Sequence, residues 1–119
     1  MPSISKLKKG WEFDVIFRTG IRTNGELVRL LYLRDDQAPE IKFGCAVGKR
    51  LGKSHARNRG RRILREAFRQ LTKKENVTPG LKIVLTLTAK GLETKTQDIL
   101  RELEILFRRK KLLCFPVSQ

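Results

Sequence analysis

The stretch 47-VGKRLGKSHARNRGRRILREAFRQ-70 combines a basic pattern with an apolar one. Nine of the chain's 27 Lys and Arg residues lie in it, together with one of its 12 acidic residues, Glu66. Its apolar residues recur at helical spacing, and the set continues just beyond the stretch: Ile63, Leu64, Ala67, Phe68 and Leu71. These positions fall on one side of a helix. The stretch therefore predicts a long helix that packs through one face and holds out a charged one.

The charged face of this predicted helix is rich in arginine. Within roughly 60° of one another, at helical spacing, lie Asn58, Arg62, Arg65 and Arg69. A guanidinium group matches two phosphate oxygens at once, and a row of such groups on a rigid helix suits a polyanion. A merely solvated helix face usually alternates charge signs, whereas here Glu66 is the one acid available, and it is predicted to pair with Arg62 or Arg69. The pattern favours phosphate binding.

Composition supports the same interpretation. A length of 119 residues predicts one domain, and 39% hydrophobic residues indicate a folded protein. The net charge of +15 favours a nucleic acid or an anionic membrane surface as partner. We find no run of about 18 apolar residues and no apolar segment behind the basic start, so neither a membrane span nor a signal peptide is expected. The expected location is cytoplasmic, with no membrane partner.

The titratable residues do not form a catalytic pattern. A nuclease that works alone needs a general base, a general acid or metal ligands at one phosphate. The chain has one histidine, His55, in a basic loop before the predicted helix, where helix entry or RNA contact is the expected role. Cys45 and Cys114 are far apart, which predicts reduced thiols rather than a disulfide. We expect no catalytic residue and no metal site on the protein.

Towards the amino terminus, residues 1–9 are predicted to be a flexible basic arm. A helix is predicted from Trp11 to Thr19, with Gly20 ending it in the left-handed conformation. Phe13 and Phe17 share a face of this helix. Aromatic residues at helical spacing are more often core than binding surface, and both interpretations stay open at this point.

Three strand-like runs flank the two helices. Residues 22–33 are apolar on both faces, which indicates an interior strand that can be divided in two. Residues 41–47 alternate, with small residues, Gly44 and Ala46, on one face that leave room for another element. Because the connection between these runs is short, antiparallel pairing between them is expected. Residues 81–89 alternate again and predict a further strand.

A last helix is predicted after Thr94 or Thr96, either of which can cap it. Asp98 and Glu102 suit its positive end. Its predicted buried stripe is Ile99, Leu100, Leu103, Leu106 and Phe107. Residues 112–119 are predicted to be a tail. The fold class is therefore α+β, a single α/β sandwich domain with the order α-β-β-(β)-α-β-α.

Three sequence motifs resemble the signature of the bacterial ribonuclease P protein component. They are Val47–Lys53 (VGKRLGK), Arg57–Arg59 (RNR) and Arg61–Arg69 (RRILREAFR). In the opening helix, Phe13, Phe17 and Gly20 are similar to the family's pattern of two phenylalanines four residues apart and a glycine three residues later. The resemblance covers most of the chain and is most specific between residues 47 and 69.

Two glycines depart from the family pattern. Gly48 stands where a serine or alanine is common, and Gly60 stands where the family usually has Ile or Val. Gly60 lies on the apolar side of the predicted helix, where it costs about 1 kcal/mol of helix propensity. We expect it to leave a gap or to permit a close approach of another element.

The resemblance implies a mixed central sheet with a left-handed βαβ crossover, where spacing alone predicts the usual right-handed one. It also implies a function: the protein subunit of ribonuclease P, with catalytic RNA and precursor tRNA as partners and no obligate protein partner. In that family the RNA performs the cleavage, with Mg²⁺ held by RNA and substrate. The implied residues in contact with the catalytic RNA are Lys49, Arg50, Lys53, Arg57, Asn58, Arg59, Arg61, Arg62, Arg65 and Arg69.

The resemblance further implies a cleft for the single-stranded 5′ leader of precursor tRNA. Its expected residues are Phe13, Phe17, Tyr32 and Ala46. Two other functions share parts of the pattern. A structural or ribosomal RNA-binding protein would have the same charge and basic helix without a leader cleft, and a nuclease acting alone is disfavoured by the single histidine.

Overall fold

A computed structural model describes residues 4–35 and 37–114 of the chain. The strands among these residues are β1 (Ile4–Lys6), β2 (Ile21–Asn24), β3 (Val28–Arg34), β4 (Ile41–Ala46), β5 (Asn76–Val77), β6 (Leu81–Leu87) and β7 (Leu113–Cys114). The helices are α1 (Gly10–Thr19), α2 (Ser54–Lys74), α3 (Ala89–Leu92) and α4 (Thr96–Arg109), and a 3₁₀ turn spans Lys49–Leu51. The predicted strand over residues 22–33 is thus two strands.

The main sheet has the strand order β1-β4-β6-β3-β2. Strand β6 is parallel to β4 and antiparallel to β3, so the sheet is mixed. The prediction that β3 and β4 pair with each other is wrong, because β6 lies between them. Ile83, Val84 and Leu85 of β6 are fully buried, and a strand that is apolar on both faces is most stable in the middle of a sheet.

The two faces of the sheet carry different helices. Helices α2 and α4 pack on one face, around a large core that includes Leu30, Leu85 and Phe107. Helix α1 packs on the other face, over a smaller set that we call the α1-side cluster: Leu7, Ile16, Leu31 and Val84, with Phe13, Phe17, Leu33 and Ala46 packed against them. The predicted α+β sandwich is confirmed. The left-handed sense of the β4-α2-β6 crossover stays a prediction from the resemblance.

Both ends of the described chain differ from their predictions. Within the predicted basic arm, β1 pairs in parallel with the outer edge of β4. Leu7 is buried, and its N–H donates to the carbonyl of Phe43 at 3.0 Å. At the other end, Leu112 is buried and β7 pairs with β5. Apolar side chains anchor both segments; residues 1–3 and 115–119 lie outside the described residues.

The helix ends also differ in detail. The first residue of α1 is Gly10, its N-cap is Lys9, and Gly20 has an extended backbone (φ −72°) rather than the left-handed one predicted. A side chain is nevertheless excluded at Gly20, because a Cβ there would lie 2.5 Å from the carbonyl oxygen of Ile16. The N-cap of α4 is Lys95, so the prediction of a threonine cap is wrong.

Glu102 has a different role from the one predicted. Its carboxylate accepts the backbone N–H groups of Glu26, Leu27 and Val28 at 2.7, 2.8 and 2.7 Å. These donors lie in the turn between β2 and β3 and at the start of β3. The carboxylate therefore ties that hairpin to α4 rather than serving the positive end of its own helix.

Candidate nucleic-acid interface

A groove of about 560 Å³ lies between α2 and the edge of the sheet formed by β1 and β4. Its apolar lining comes from strand and helix side chains: Ile4, Leu7, Phe13, Phe43, Cys45 and Phe68. The rings of Phe43 and Phe68 stack with their centroids 4.0 Å apart. Three arginines of α2, at i, i+4 and i+8, also line it: Arg61, Arg65 and Arg69. The remaining lining residues are Ser5, Lys6, Gly44 and Thr72. We call this the β1–α2 groove.

The three arginines differ in what holds them. Arg61 donates to the side-chain oxygen of Asn58, and the Nε of Arg65 donates to the carbonyl of Arg61 at 3.3 Å. Neither forms an ion pair with any residue that the structure describes. Arg69, by contrast, donates to both carboxylate oxygens of Glu66, at 2.9 and 2.5 Å. Two of the three guanidinium groups are therefore available to an anion.

The pairing of Arg69 with Glu66 also shifts the pKa values of both residues. Hydrogen bonds from Arg69 and Gln70 lower the pKa of Glu66 to about 2, and the same carboxylate raises the pKa of Arg69. The sequence predicted that Glu66 would pair with Arg62 or Arg69, and the second alternative is confirmed. The predicted arginine row thus divides into a compensated member, Arg69, and uncompensated members.

Cys45 of β4 lines the groove together with Arg61 and Arg65. Burial raises the pKa of its thiol to about 12, and Arg65 and Arg61 oppose the rise by favouring the thiolate. The thiol is protonated near neutral pH and serves as a small apolar surface of the groove. Cys45 and Cys114 are both free, as predicted.

The Arg57–Arg59 motif lies near the start of α2, and its Arg59 contacts α3. Arg59 donates to the carbonyl of Leu92 at 3.2 Å, and the Nε of Arg57 is buried without a hydrogen-bond partner in the described structure. Beside them, a Cβ at Gly60 would lie 3.0 Å from a methyl carbon of Leu92. The close approach expected at Gly60 is confirmed: the glycine lets α3 pack on α2 and hold this motif.

The basic turn that precedes α2 is open to solvent. Lys49 and Arg50 are exposed in the 3₁₀ turn, and Lys53 is exposed as the N-cap of α2. Gly52 has φ +153°, a backbone conformation that favours glycine. His55 is exposed in the first turn of α2. Arg62 is exposed as well, so these lysines and arginines form an outer surface distinct from the groove.

Three of the four residues predicted for the aromatic cleft lie together, and Tyr32 does not. Phe13 and Phe17 of α1 are half-buried and pack on the same cluster as Ala46. The small-residue face of β4 receives them, since a Cβ at Gly44 would collide with the Phe13 ring. Tyr32 does not join, because it faces the large core and is 4% exposed. Leu31 occupies the α1 side instead, as strand side chains alternate and a shift of one residue exchanges the faces.

Two further features bear on chemistry and location. Among residues 4–35 and 37–114 we find no group of three His, Cys, Asp or Glu side chains that could hold a metal ion. Over the same residues, no helix has the length and apolar character to cross a membrane.

Comparison with known proteins identifies the family. A model of the Ribonuclease P family matches residues 1–111. The chain belongs to the Ribonuclease P family. One relative, a ribonuclease P protein component of Geobacillus thermodenitrificans, is 35% identical over 80 residues, which are 67% of this chain and 64% of the relative. A Pseudanabaena ribonuclease P protein component is 29% identical over 114 residues, 95% of this chain and 97% of the relative.

The fold agrees with this assignment. The solved structure of the Staphylococcus aureus RNase P protein is similar to the chain with a TM-score of 0.77 and 21% identity, over 92% of this chain and 97% of that one. The predicted resemblance to the Ribonuclease P family is therefore confirmed in sequence and in fold.

The sequence did not predict that β1 lines the groove of this member of the Ribonuclease P family. Ile4 and Lys6 line the groove, although they belong to the segment predicted to be a flexible arm. No alternation of apolar and polar residues marked the strand, because Ile4, Ser5, Lys6 and Leu7 are apolar, polar, polar and apolar in turn. Three residues are too few for that pattern to indicate a strand, and the pairing depends on the edge of β4.

Proposed function

We propose that this chain is the protein subunit of a bacterial ribonuclease P, which binds a catalytic RNA and the single-stranded 5′ leader of precursor tRNA. Family membership supports the first half of the proposal. The observation that carries the second half is the pair of uncompensated guanidinium groups, Arg61 and Arg65, beside an apolar groove. Such a combination suits a strand whose bases are unpaired, because it offers both stacking surface and charge.

The catalytic RNA is assigned to the outer basic surface. Lys49, Arg50 and Lys53 precede α2, and Arg62 lies on its solvent side; all are exposed. A folded RNA presents phosphates on a convex surface, and exposed cations on a rigid helix and turn can neutralise them without reorganising. Arg59 supports this surface through its hydrogen bond to the carbonyl of Leu92 in α3.

The leader is assigned to the two sides of the β4 edge. On one side lie Phe13, Phe17 and Ala46, and on the other lie Arg61 and Arg65. The leader role proposed for Arg61 and Arg65 differs from the contact with the catalytic RNA that the resemblance implied. Each base stacked on an aromatic ring contributes about 1–3 kcal/mol. Mature tRNA lacks the leader, so these contacts favour precursor over product, and the preference is a difference of two affinities.

In this proposal the protein contributes binding and orientation. Mg²⁺ held by the RNA subunit and the substrate supplies the activation of water at the scissile phosphate. Arg61 and Arg65 would fix the leader, and the basic turn would fix the RNA, so that the bond to be cut is held in register.

The test is a cleavage assay of precursor tRNA by the purified protein, with and without a bacterial ribonuclease P RNA at low Mg²⁺. We expect no cleavage by the protein alone and stimulation of the RNA by the protein. Cleavage without RNA would instead support a nuclease acting alone. Absence of stimulation, with RNA binding retained, would support a structural RNA-binding protein.

A further inference from the structure

Four basic residues follow one another where α4 ends: Arg108, Arg109, Lys110 and Lys111. We call them the α4 basic end. Arg108, Arg109 and Lys111 are exposed, and Lys110 is half-buried. Arg108 pairs with Glu75 at 2.6 Å, whereas the other three form no ion pair with any residue that the structure describes. Most of the positive charge at this end of α4 is therefore uncompensated.

The helix dipole of α4 accounts for only part of this charge. The carboxyl end of a helix carries about half a negative elementary charge, and the effect is confined to the last turn. A single cation is enough to balance it. A purely structural role at the helix end therefore leaves most of the charge available to a partner.

Lys111 has an unusual backbone conformation. Its φ is +58°, and no other non-glycine residue that the structure describes has a positive φ. The turn that follows α4 is fixed by two hydrogen bonds: the N–H of Lys111 donates to the carbonyl of Arg108 at 3.0 Å, and that of Leu112 to the carbonyl of Phe107 at 2.9 Å. Glycine is the residue that this left-handed position after a helix favours, because a Cβ is strained there. A lysine held at such a position points to a role outside folding.

The α4 basic end lies at the carboxyl end of α2. Glu75, the C-cap of α2, pairs with Arg108, and Lys74 pairs with Glu104 of α4 at 3.0 Å. The basic turn precedes the opposite end of α2. Because α2 has 21 residues, its two ends are about 30 Å apart. The α4 basic end is therefore a surface separate from the basic turn.

We infer that the α4 basic end is a second contact surface for the catalytic RNA, where Arg109, Lys110 and Lys111 bind phosphates of its backbone. This inference rests on the proposed function and adds a second point of attachment to it. Phosphate contacts fix the orientation of a protein on an RNA. Two such contacts at opposite ends of a rigid helix prevent a rotation that one contact permits.

The phosphates of a folded RNA fit this surface better than other partners. The α4 basic end has no aromatic residue on which unpaired bases could stack, which disfavours the leader. The adjoining Leu112 and Leu113 are buried, so they supply no apolar anchor for a protein or a bilayer. Ile105 is exposed one turn earlier, but single apolar residues are normal on protein surfaces.

The experiment measures binding of the full chain to a bacterial ribonuclease P RNA without substrate, over a range of salt concentrations. It compares Lys111→Gly, which removes the charge, with Lys111→Arg, which keeps it at the same position. Arg101→Ala is a second control on the same helix. It lowers the net charge equally but removes a group already paired with Asp98 at 3.5 Å.

We expect Lys111→Gly to weaken binding of this RNA about three-fold and to reduce the magnitude of the log–log salt slope by about 0.7–0.9, the range for one phosphate contact. Its thermal midpoint should stay at the wild-type value or rise, because glycine adopts this backbone conformation without strain. Lys111→Arg should bind as the wild type does, since a guanidinium also binds phosphate. Arg101→Ala should leave the slope unchanged.

Two further ligands test the choice of partner: precursor tRNA added to the assembled ribonucleoprotein, and vesicles of anionic phospholipid added to the protein. Neither should distinguish Lys111→Gly from the wild type. A loss confined to precursor tRNA would assign the α4 basic end to the substrate, and a loss confined to vesicles would assign it to a membrane. Either result would overturn the inference.

The wild-type protein separates this inference from the proposed function. If it binds and stimulates the RNA while Lys111→Gly has an unchanged salt slope, the second contact surface is wrong and the proposed function stands. If the wild type neither binds nor stimulates the RNA, both fail.

Discussion

The sheet has a closed face under α2 and α4 and a half-open face under α1. On the closed face, Leu30, Leu85 and Phe107 are fully buried. On the other face, Gly44, Val84 and Leu31 are buried, whereas Arg29, two positions before Leu31 on β3, is exposed. A face that is completely covered contributes most to stability, whereas a partly covered face can present groups to a partner. Substitutions on the two faces should therefore give different readouts.

The largest effect should come from the closed face, at Glu102. Replacing it with Ala removes the acceptor of three backbone N–H groups, and we expect a loss of about 3 kcal/mol in the free energy of unfolding. Chemical denaturation measures the loss. Asp98→Ala is the matched control on the same helix, since its exposed ion pair with Arg101 predicts at most about 1 kcal/mol. Equal losses would show that the hairpin does not depend on this carboxylate.

Gly60 tests the packing of α2 against α3. A valine there must displace Leu87 and Leu92, each with a methyl carbon 3.0 Å from the added Cβ. We expect destabilisation of about 2 kcal/mol, as for overpacked cores. Gly48→Ala is the control, because nothing lies within 4 Å of an added Cβ there. A valine variant as stable as the wild type would mean that α3 shifts freely and does not fix the Arg57–Arg59 motif.

Phe17 of α1 packs against the α1-side cluster, on the half-open face of the sheet. Replacing it with Ala should weaken binding of leader-bearing substrate by about 1–2 kcal/mol, the contribution of one stacked base, and leave mature tRNA unaffected. Affinity measurements with both RNAs check this result. Trp11→Ala serves as the aromatic control on the same helix, because Trp11 is 65% exposed and lies outside the α1-side cluster. A fall in thermal stability without any change in RNA preference would assign Phe17 to the core.

Arg65 and Arg69 should differ despite their common helix. Arg65→Ala should lower the magnitude of the salt slope of leader binding by about 0.7, the value for one phosphate of a single strand, because it removes an uncompensated charge. Arg69→Ala should have a smaller effect, since Arg69 is paired with Glu66 in the free protein. The measurement is the dissociation constant of each variant for RNA over a range of salt concentrations. A larger effect of Arg69→Ala than of Arg65→Ala would mean that the ion pair between Arg69 and Glu66 opens to bind RNA.

The smallest expected effect concerns the thiols. With a pKa of about 12, Cys45 holds only about one part in 10⁴ of its thiol as thiolate at pH 8. Cys114 is exposed, so a thiol-specific reagent should modify it first, and labelling of Cys45 should accelerate with rising pH up to about 12. Mass spectrometry of the labelled protein shows the order in which the two thiols are modified. Labelling of Cys45 first would contradict its burial beneath the arginines.

Local patterns were sufficient for several features. The helical spacing of Leu64, Ala67, Phe68 and Leu71 placed α2 and its buried face correctly, because a helix is periodic in the sequence itself. The alternation over residues 81–87 likewise placed β6 and its core side. The close approach at Gly60 followed from its position on the apolar side of α2.

Long-range pairing was not predictable in the same way. The pairing of β3 with β4 was expected from a short connection, yet β6 is inserted between them. Tyr32 was predicted to line the cleft, yet its side chain lies in the large core, and the neighbouring Leu31 faces α1 instead. The strand at Ile4–Lys6 forms only against the edge of β4. Each of these features depends on residues far apart in the chain.

The sequence by itself determined the charge, the amphipathic helix α2, the aromatic face of α1 and the family. Each is a property of composition or of spacing along one segment. Only the tertiary structure decided which arginines are neutralised, which strand lies in the middle of the sheet, and that Arg61 and Arg65 share a groove with β1. These facts depend on which distant side chains are brought within a few ångströms, and that arrangement is set by burial of the core as a whole.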